Sequence, residues 1–289
     1  MVRQTFSKLA LASAIAVSMF SCVTAAEQDN ELRLYELDGG SLILGNNNLL
    51  SDTDSFSGSS MQMKNPAYLI KHGENWVLWD TGLPGYIAEK KDGVQYGFWK
   101  MWMNKTLPEQ LNELELTPGD IDYVILSHTN MDHTGNTNLF KNAILIIQEE
   151  EYEVLLNEKA AQRNHLAPEL LSWFISGGGK DNVRLLHRDE DIFSDGALKS
   201  IFLPGHTPGH MALLVNLKEA GPVILAGDLW HSNANRLKTQ LPDFNSSRSD
   251  TLASFERMEE VLSNTGAKLI IQHEVSPEHL LPDFPAYLD

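Results

Sequence analysis

Most of the chain's chemical content lies in ten residues near its middle, Ser127-His-Thr-Asn-Met-Asp-His-Thr-Gly-Asn136. His128, Asp132 and His133 supply two imidazoles and a carboxylate within six residues. Donors of this kind suit Zn2+ or a similar divalent ion. Three more stand at the ends of apolar runs: His206 in Leu203-Pro-Gly-His-Thr-Pro-Gly-His210, Asp228 after Leu225-Ala-Gly227, and His273 after Ile271-Gln272. One strand-end histidine is more often a satisfied structural residue than a ligand. Several, all at one edge of the predicted sheets, point to a metal centre.

These residues need strands to hold them. Tyr123–Leu126 reads as a buried strand, and the motif follows it directly, at the carboxyl end where α/β proteins bind ligands. Further strands are predicted at Leu32–Leu37, Ala67–Lys71, Trp76–Trp79, Ala143–Ile147, Val183–Leu186, Leu198–Phe202, Ala212–Asn216, Val223–Ala226 and Lys268–Gln272. Helices are predicted at Leu107–Leu116, Glu149–Ala167 and Thr251–Leu262. Gly39–Ser60 reads as turns and an exposed loop. The aromatic and Met-rich stretch Tyr96–Leu107, with Trp99 and Trp102, could line an apolar pocket, or be core or a mobile lid. Gly177-Gly-Gly-Lys180 lacks the strand and glycine spacing of a phosphate cradle and reads as a flexible loop. The order of elements predicts one α/β domain of two similar layers, sheets inside and helices outside.

The 289 residues are 42% hydrophobic and 21% charged, which excludes a wholly disordered chain. A net charge of −17 argues against nucleic acid and against general attraction to anionic lipid. A small-molecule substrate is expected instead, with a monomer or homodimer as the working form. Arg3 and Lys8, the apolar run Leu9–Phe20 and the small residues Val23-Thr-Ala-Ala26 have the order of a secretory signal. Residues 1–25 are therefore expected to be removed, leaving one domain over 27–289 in the periplasm or outside the cell. The single cysteine, Cys22, lies in that segment, so disulfides and thiol chemistry are not expected in the mature chain. Lipid attachment at Cys22 is the alternative and the one expected route to a membrane, although Met19 and Phe20 suit such processing poorly.

With these motifs the sequence resembles the metallo-β-lactamase superfamily over roughly residues 31 to 280. The family pattern His-x-His-x-Asp-His, then His, Asp and His, reads here as His128-x-Asn130-x-Asp132-His133, His206, Asp228 and His273. Asp80-Thr-Gly82 also matches. The resemblance implies a four-layer αββα sandwich with a site for two zinc ions between its sheets. Asn65–Ile70, Leu78–Pro84 and His206–His210 look most like N-acyl homoserine lactonases, which implies lactone opening by a metal-bound hydroxide. Another hydrolase on the same fold, acting on a β-lactam, thioester or phosphodiester, is the alternative, as is a metal-poor binding protein.

By the family pattern His128, Asn130 and His206 would hold the first ion. Asp132, His133 and His273 would hold the second, with Asp228 bridging. Asn130 stands where the family has histidine, and its neutral amide oxygen should weaken the first site. His231 stands where related lactonases often have a tyrosine that contacts the substrate carbonyl. Asp132, Asp228 and His231 are thus the expected catalytic residues. Asp80 is expected to orient a ligating histidine. His210 is expected to pack or cap, and His72, His165, His187 and His279 to be structural.

Overall fold

The computed structural model describes Met1, residues 31–275 and residues 280–289. Residues 2–30, with the rest of the expected signal segment and Cys22, and residues 276–279, with His279, lie outside these described residues. The strands are β1 (Leu32–Leu37), β2 (Ser41–Leu44), β3 (Met61–Lys64), β4 (Ala67–His72), β5 (Asn75–Trp79), β6 (Val94–Tyr96), β7 (Trp99–Trp102), β8 (Tyr123–Ile125), β9 (Ile144–Gln148), β10 (Val183–Leu186), β11 (Leu198–Phe202), β12 (Met211–Asn216), β13 (Pro222–Leu225) and β14 (Lys268–Ile270). The α-helices are α1 (Leu107–Glu113), α2 (Met131–Thr134), α3 (Glu149–Leu156), α4 (Glu158–Arg163), α5 (Ser172–Ile175), α6 (Asn233–Lys238) and α7 (Arg248–Thr265).

Two sheets form the body. One has the order β1-β4-β5-β8-β9-β10, antiparallel from β1 to β5 and parallel from β5 to β10. The other has the order β11-β12-β13-β14, with a parallel pair only at β13 and β14. Their strands read as continuous apolar runs because both faces are buried. Successive side chains point to opposite faces. Tyr68, Ile70, Val77 and Trp79 therefore meet Met211, Leu213, Val215, Val223 and Leu225 between the sheets. Leu69 and Leu78 turn outward onto Leu107, Leu111 and Leu155 of α1 and α3. Ala212, Leu214 and Ile224 turn outward onto Phe255 and Met258 of α7. The result is the four-layer αββα sandwich that the resemblance implies.

Helix limits follow local chemistry. Ser247 caps α7 by accepting from the Asp250 N–H, and Gly266 closes it in the left-handed region. The predicted helix over Glu149–Ala167 is two, because Asn157 leaves helical geometry and its side chain accepts from Ala160 N–H to start α4. Gly39–Ser60 is not all loop. It contains β2, the centre of a third, antiparallel sheet with the order β3-β2-β7-β6. The aromatic stretch provides β7 and the last residue of β6 in that sheet, and Trp99 meets Phe244 edge-on at 6.4 Å. Its buried side, Leu42, Leu44, Met63 and Met101, packs with Leu83, Ile87, Met131 and Phe244. Gly178 and Gly179 lie so close to Trp173 that a Cβ would come within 2.6 Å of its ring. They form a turn packed on Trp173 where a flexible loop was expected.

Candidate metal centre

The candidate ligands leave the sheets at neighbouring strand ends. Beyond β8 the chain runs through Ser127 and His128 to Asn130, whose carbonyl accepts from His133 N–H and Thr134 N–H to start α2. His206 lies in the turn between β11 and β12, Asp228 three residues beyond β13, and His273 three beyond β14. The fold brings His128, His206 and Asp228 into one group of donor atoms within 4.8 Å of each other, and Asp132, His133 and His273 into a second.

Asp228 sits between the two groups. Its Oδ1 is 3.2 Å from His133 Nε2 and 3.1 Å from His273 Nε2. Its Oδ2 is 3.4 Å from His206 Nε2 and 3.8 Å from His128 Nε2. Asp132 Oδ2 lies 3.7 Å from His133 Nε2 and 3.6 Å from His273 Nε2. On the first side, His206 Nε2 is 3.2 Å from His128 Nε2 and 2.9 Å from Asn130 Oδ1. Ligand atoms about 2.1 Å from a shared tetrahedral ion are about 3.4 Å apart, so both sets have the spacing of a coordination shell.

Hydrogen bonds on the far side of each ring fix which nitrogen faces inward. His133 Nδ1 lies 2.8 Å from Asp80 Oδ2, and His273 Nδ1 lies 2.8 Å from the Lys64 carbonyl. His206 Nδ1 lies 2.9 Å from Asn245 Oδ1. Ser127 Oγ gives its own proton to Asp80 and so accepts from His128 Nδ1 at 3.0 Å. Each Nδ1 is thus a donor, and each ring in its neutral form turns the Nε2 lone pair inward. Asn130 turns its NH2 to the His165 carbonyl at 3.3 Å, leaving Oδ1 to face His206. Lone pairs therefore meet lone pairs and carboxylates, an arrangement that a cation would satisfy. His133 Nε2 and Asp228 Oδ1, both buried, have no hydrogen-bond partner among the described residues. The donor set fits a pair of divalent ions.

Proton affinities reflect the same charge pattern. Burial disfavours a charged His133, yet the carboxylates of Asp228, Asp132 and Asp80 outweigh it and hold its pKa well above the ordinary value. His273 moves up in the same way, with Asp228 opposing burial. Burial would raise the Asp228 pKa, but His273, His133 and His231 hold it well below the usual range. On the first side burial prevails and lowers His128, and lowers His206 to about 4.

The matching family model is that of the metallo-beta-lactamase superfamily, over residues 63–265. The chain belongs to this superfamily. Among curated relatives, the N-acyl homoserine lactonase AttM of Azorhizobium caulinodans is 30% identical over 90% of this chain and 99% of its own. The N-acyl homoserine lactonase AiiA of Bacillus thuringiensis subsp. kurstaki is 24% identical over 89% of this chain and 98% of its own. A solved N-acyl homoserine lactone hydrolase with N-hexanoyl-L-homoserine at its catalytic metal centre superposes with a TM-score of 0.72, at 23% identity, over 89% of this chain and 98% of that one. AidC, a dizinc quorum-quenching lactonase, superposes with a TM-score of 0.66 at 20% identity, over 90% and 94% of the two chains.

Against the superfamily pattern, Asp80 receives His133 Nδ1 and also accepts from Ser127 N–H at 2.8 Å. Its backbone takes the left-handed region, φ 56°, to aim the carboxylate there. His210 donates from Nδ1 to the Leu203 carbonyl and accepts the Asp228 N–H at Nε2, 2.9 Å away. Only glycine fits before Asp228, because a Cβ on Gly227 would lie 2.7 Å from that nitrogen and φ there is +54°. His231 is buried, with Nε2 3.3 Å from Asp228 Oδ2, its ring stacked on His273 and Nδ1 without a partner among the described residues. His72 pairs with Asp195 at 2.7 Å and His187 with Glu149 at 3.0 Å, both outside the centre. His165 contributes a carbonyl to Asn130 rather than its ring. The sequence reading missed Ser127, Asn245, the Lys64 carbonyl and Glu151. Ser127 adjoins a candidate ligand and could have been suspected, whereas the others lie 20 or more residues from the candidate ligands they support.

Proposed function

We propose that this protein is a zinc-dependent N-acyl homoserine lactonase, adding water across the ring ester to give N-acyl homoserine. The observation that carries the reading is the convergence of inward-facing acceptors on the two oxygens of Asp228. Ions bound there would supply hydroxide near neutral pH and Lewis acidity at a carbonyl oxygen. Asp132, His133 and His273 would hold one ion, and His128, His206 and Asn130 Oδ1 the other, with Asp228 between them. His231, whose buried Nδ1 has no partner among the described residues, would turn its ring to donate to the substrate carbonyl. Phe244 meets the rings of His206 at 6.1 Å and His231 at 5.9 Å, giving the site an apolar wall suited to a neutral, tailed lactone.

The test is parallel turnover of zinc-loaded protein on an acyl homoserine lactone series and on β-lactam, thioester and phosphodiester panels. Lactone turnover well above the rest is expected, and β-lactam turnover without lactone turnover would overturn the reading. A protein carrying no metal after growth in zinc would overturn it at an earlier step. We also propose export of the chain with loss of residues 1–25. Mass spectrometry of the mature N-terminus checks this, and a lipidated Cys22 would replace the soluble periplasmic form with an anchored one.

A further inference from the structure

Glu151, the third residue of α3, is fully buried, and its hydrogen bonds to Thr129 and Gly209 touch no candidate ligand side chain. Its Oε1 accepts from Thr129 N–H at 2.9 Å and from Thr129 Oγ1 at 2.7 Å. Its Oε2 accepts from Gly209 N–H at 2.9 Å. The approach is close enough to require glycine, since a Cβ on Gly209 would lie 2.3 Å from Glu151 N. Thr129 stands between His128 and Asn130, and Gly209 stands three residues after His206. The carboxylate thus ties together the two loops that carry His128, Asn130 and His206, the candidate ligands of the first site other than Asp228. It is an acceptor at both oxygens, a role only a carboxylate fills, and burying it is tolerable because donors meet both.

The second ion is supported by other residues. Asp80 holds His133, the Lys64 carbonyl holds His273, and Asn65 Nδ2 holds the Asp132 carbonyl at 2.7 Å. None of these contacts involves Glu151. We propose that Glu151 is a positioning residue for the first metal site, keeping His128, Asn130 and His206 in register where one ligand is an amide instead of an imidazole. The proposal rests on the two-metal reading above.

Glu151→Gln places an NH2 group against either Thr129 or Gly209 and breaks one side of the tie. Losing an outer-shell partner lowers metal affinity ~10–100-fold. Zinc affinity is read by competition with a chromogenic chelator, and the occupancy of each site by anomalous diffraction from crystals equilibrated at limiting zinc. The expected result is a ~10–100-fold loss confined to the first site, with second-site occupancy unchanged. Thr129→Val, which removes only the hydroxyl donor, should give a smaller loss at the same site and serves if the Gln variant does not fold. Equal loss at both sites, or full occupancy of both in each variant, overturns the proposal alone. Wild-type protein that takes up no zinc overturns the two-metal reading and this proposal together.

Discussion

Replacing Asn130 with histidine should tighten the first metal site without raising turnover at saturating zinc. The amide already turns its oxygen towards the ligand cluster, 2.9 Å from His206 Nε2, and its nitrogen towards the His165 carbonyl at 3.3 Å. An imidazole at this position can keep both contacts, one nitrogen facing the ion and the other N–H facing the carbonyl. The change exchanges a neutral amide oxygen for a stronger nitrogen donor and leaves no polar group unpaired. A gain of the size that supporting contacts provide, ~10–100-fold in affinity, corresponds to ~1.4–2.7 kcal/mol. The assay is turnover of an acyl homoserine lactone against buffered free zinc for both proteins, beside a chelator competition titration. The half-saturating zinc concentration should fall by that factor while the plateau stays level. Equal zinc affinity in the two proteins would show that Asn130 is not a ligand. Lost turnover at every zinc concentration would show instead that its amide serves the substrate.

Asp228→Ala and His133→Ala should each abolish hydrolysis while circular dichroism stays native, because each removes a donor of the more complete second site; near-normal turnover in either would refute the two-ion centre. His231→Phe should lower kcat with little change in KM, by ~100-fold or more if its nitrogen meets the developing oxyanion, whereas an unchanged kcat would assign the ring to packing. His210, buried and lowered to about 3, provides a pH test. Below the ordinary histidine pKa the unfolded chain takes up a proton that the folded chain refuses, so stability falls with pH at ~1.4 kcal/mol per unit, ~3 kcal/mol by pH 4. Urea midpoints of metal-free wild type should therefore drop more steeply between pH 6.5 and 4 than those of His210→Gln, and parallel curves would contradict the burial argument.

Much of this was legible in the sequence because strand ends announce themselves. An apolar run stops, and a histidine or aspartate follows, as at Leu126, Leu225 and Ile271. The donor types alone indicated a metal, and the family pattern divided them between two ions. Glu151 was not legible, since it belongs to the run Glu149-Glu150-Glu151, which reads as a solvated helix start. Only the packing of α3 beneath the metal loop shows that one of the three is buried. The strand β2 was hidden by the Gly, Asn and Ser around it, because its pairing partners are remote: β3 and β7 supply the ladder that local composition does not suggest. The tautomers of the candidate ligand histidines were likewise out of reach. They depend on Asn245, on the Lys64 carbonyl and on Asp80, brought in from 39 to 209 residues away.

The candidate ligands come from both sides of the sandwich. His128, Asn130, Asp132 and His133 follow a strand of the six-stranded sheet, and His206, Asp228 and His273 follow strands of the four-stranded one. Ions held there would cross-link the two sheets at one end, as a clasp whose strength is set by the surrounding medium. A site saturated a thousandfold above its Kd adds ~4 kcal/mol against any opening that empties it. Amides at this rim, such as Leu126 N–H bonded to the Ile146 carbonyl and Ala226 N–H bonded to the Ile270 carbonyl, should exchange with solvent more slowly as zinc rises. Exchange rates indifferent to zinc would mean that the sheets stay closed without it. If the clasp operates, the protein would be stiff where zinc is plentiful and loose at this end of its sheets where zinc is scarce, so that free zinc tunes its resistance to proteolysis along with its activity.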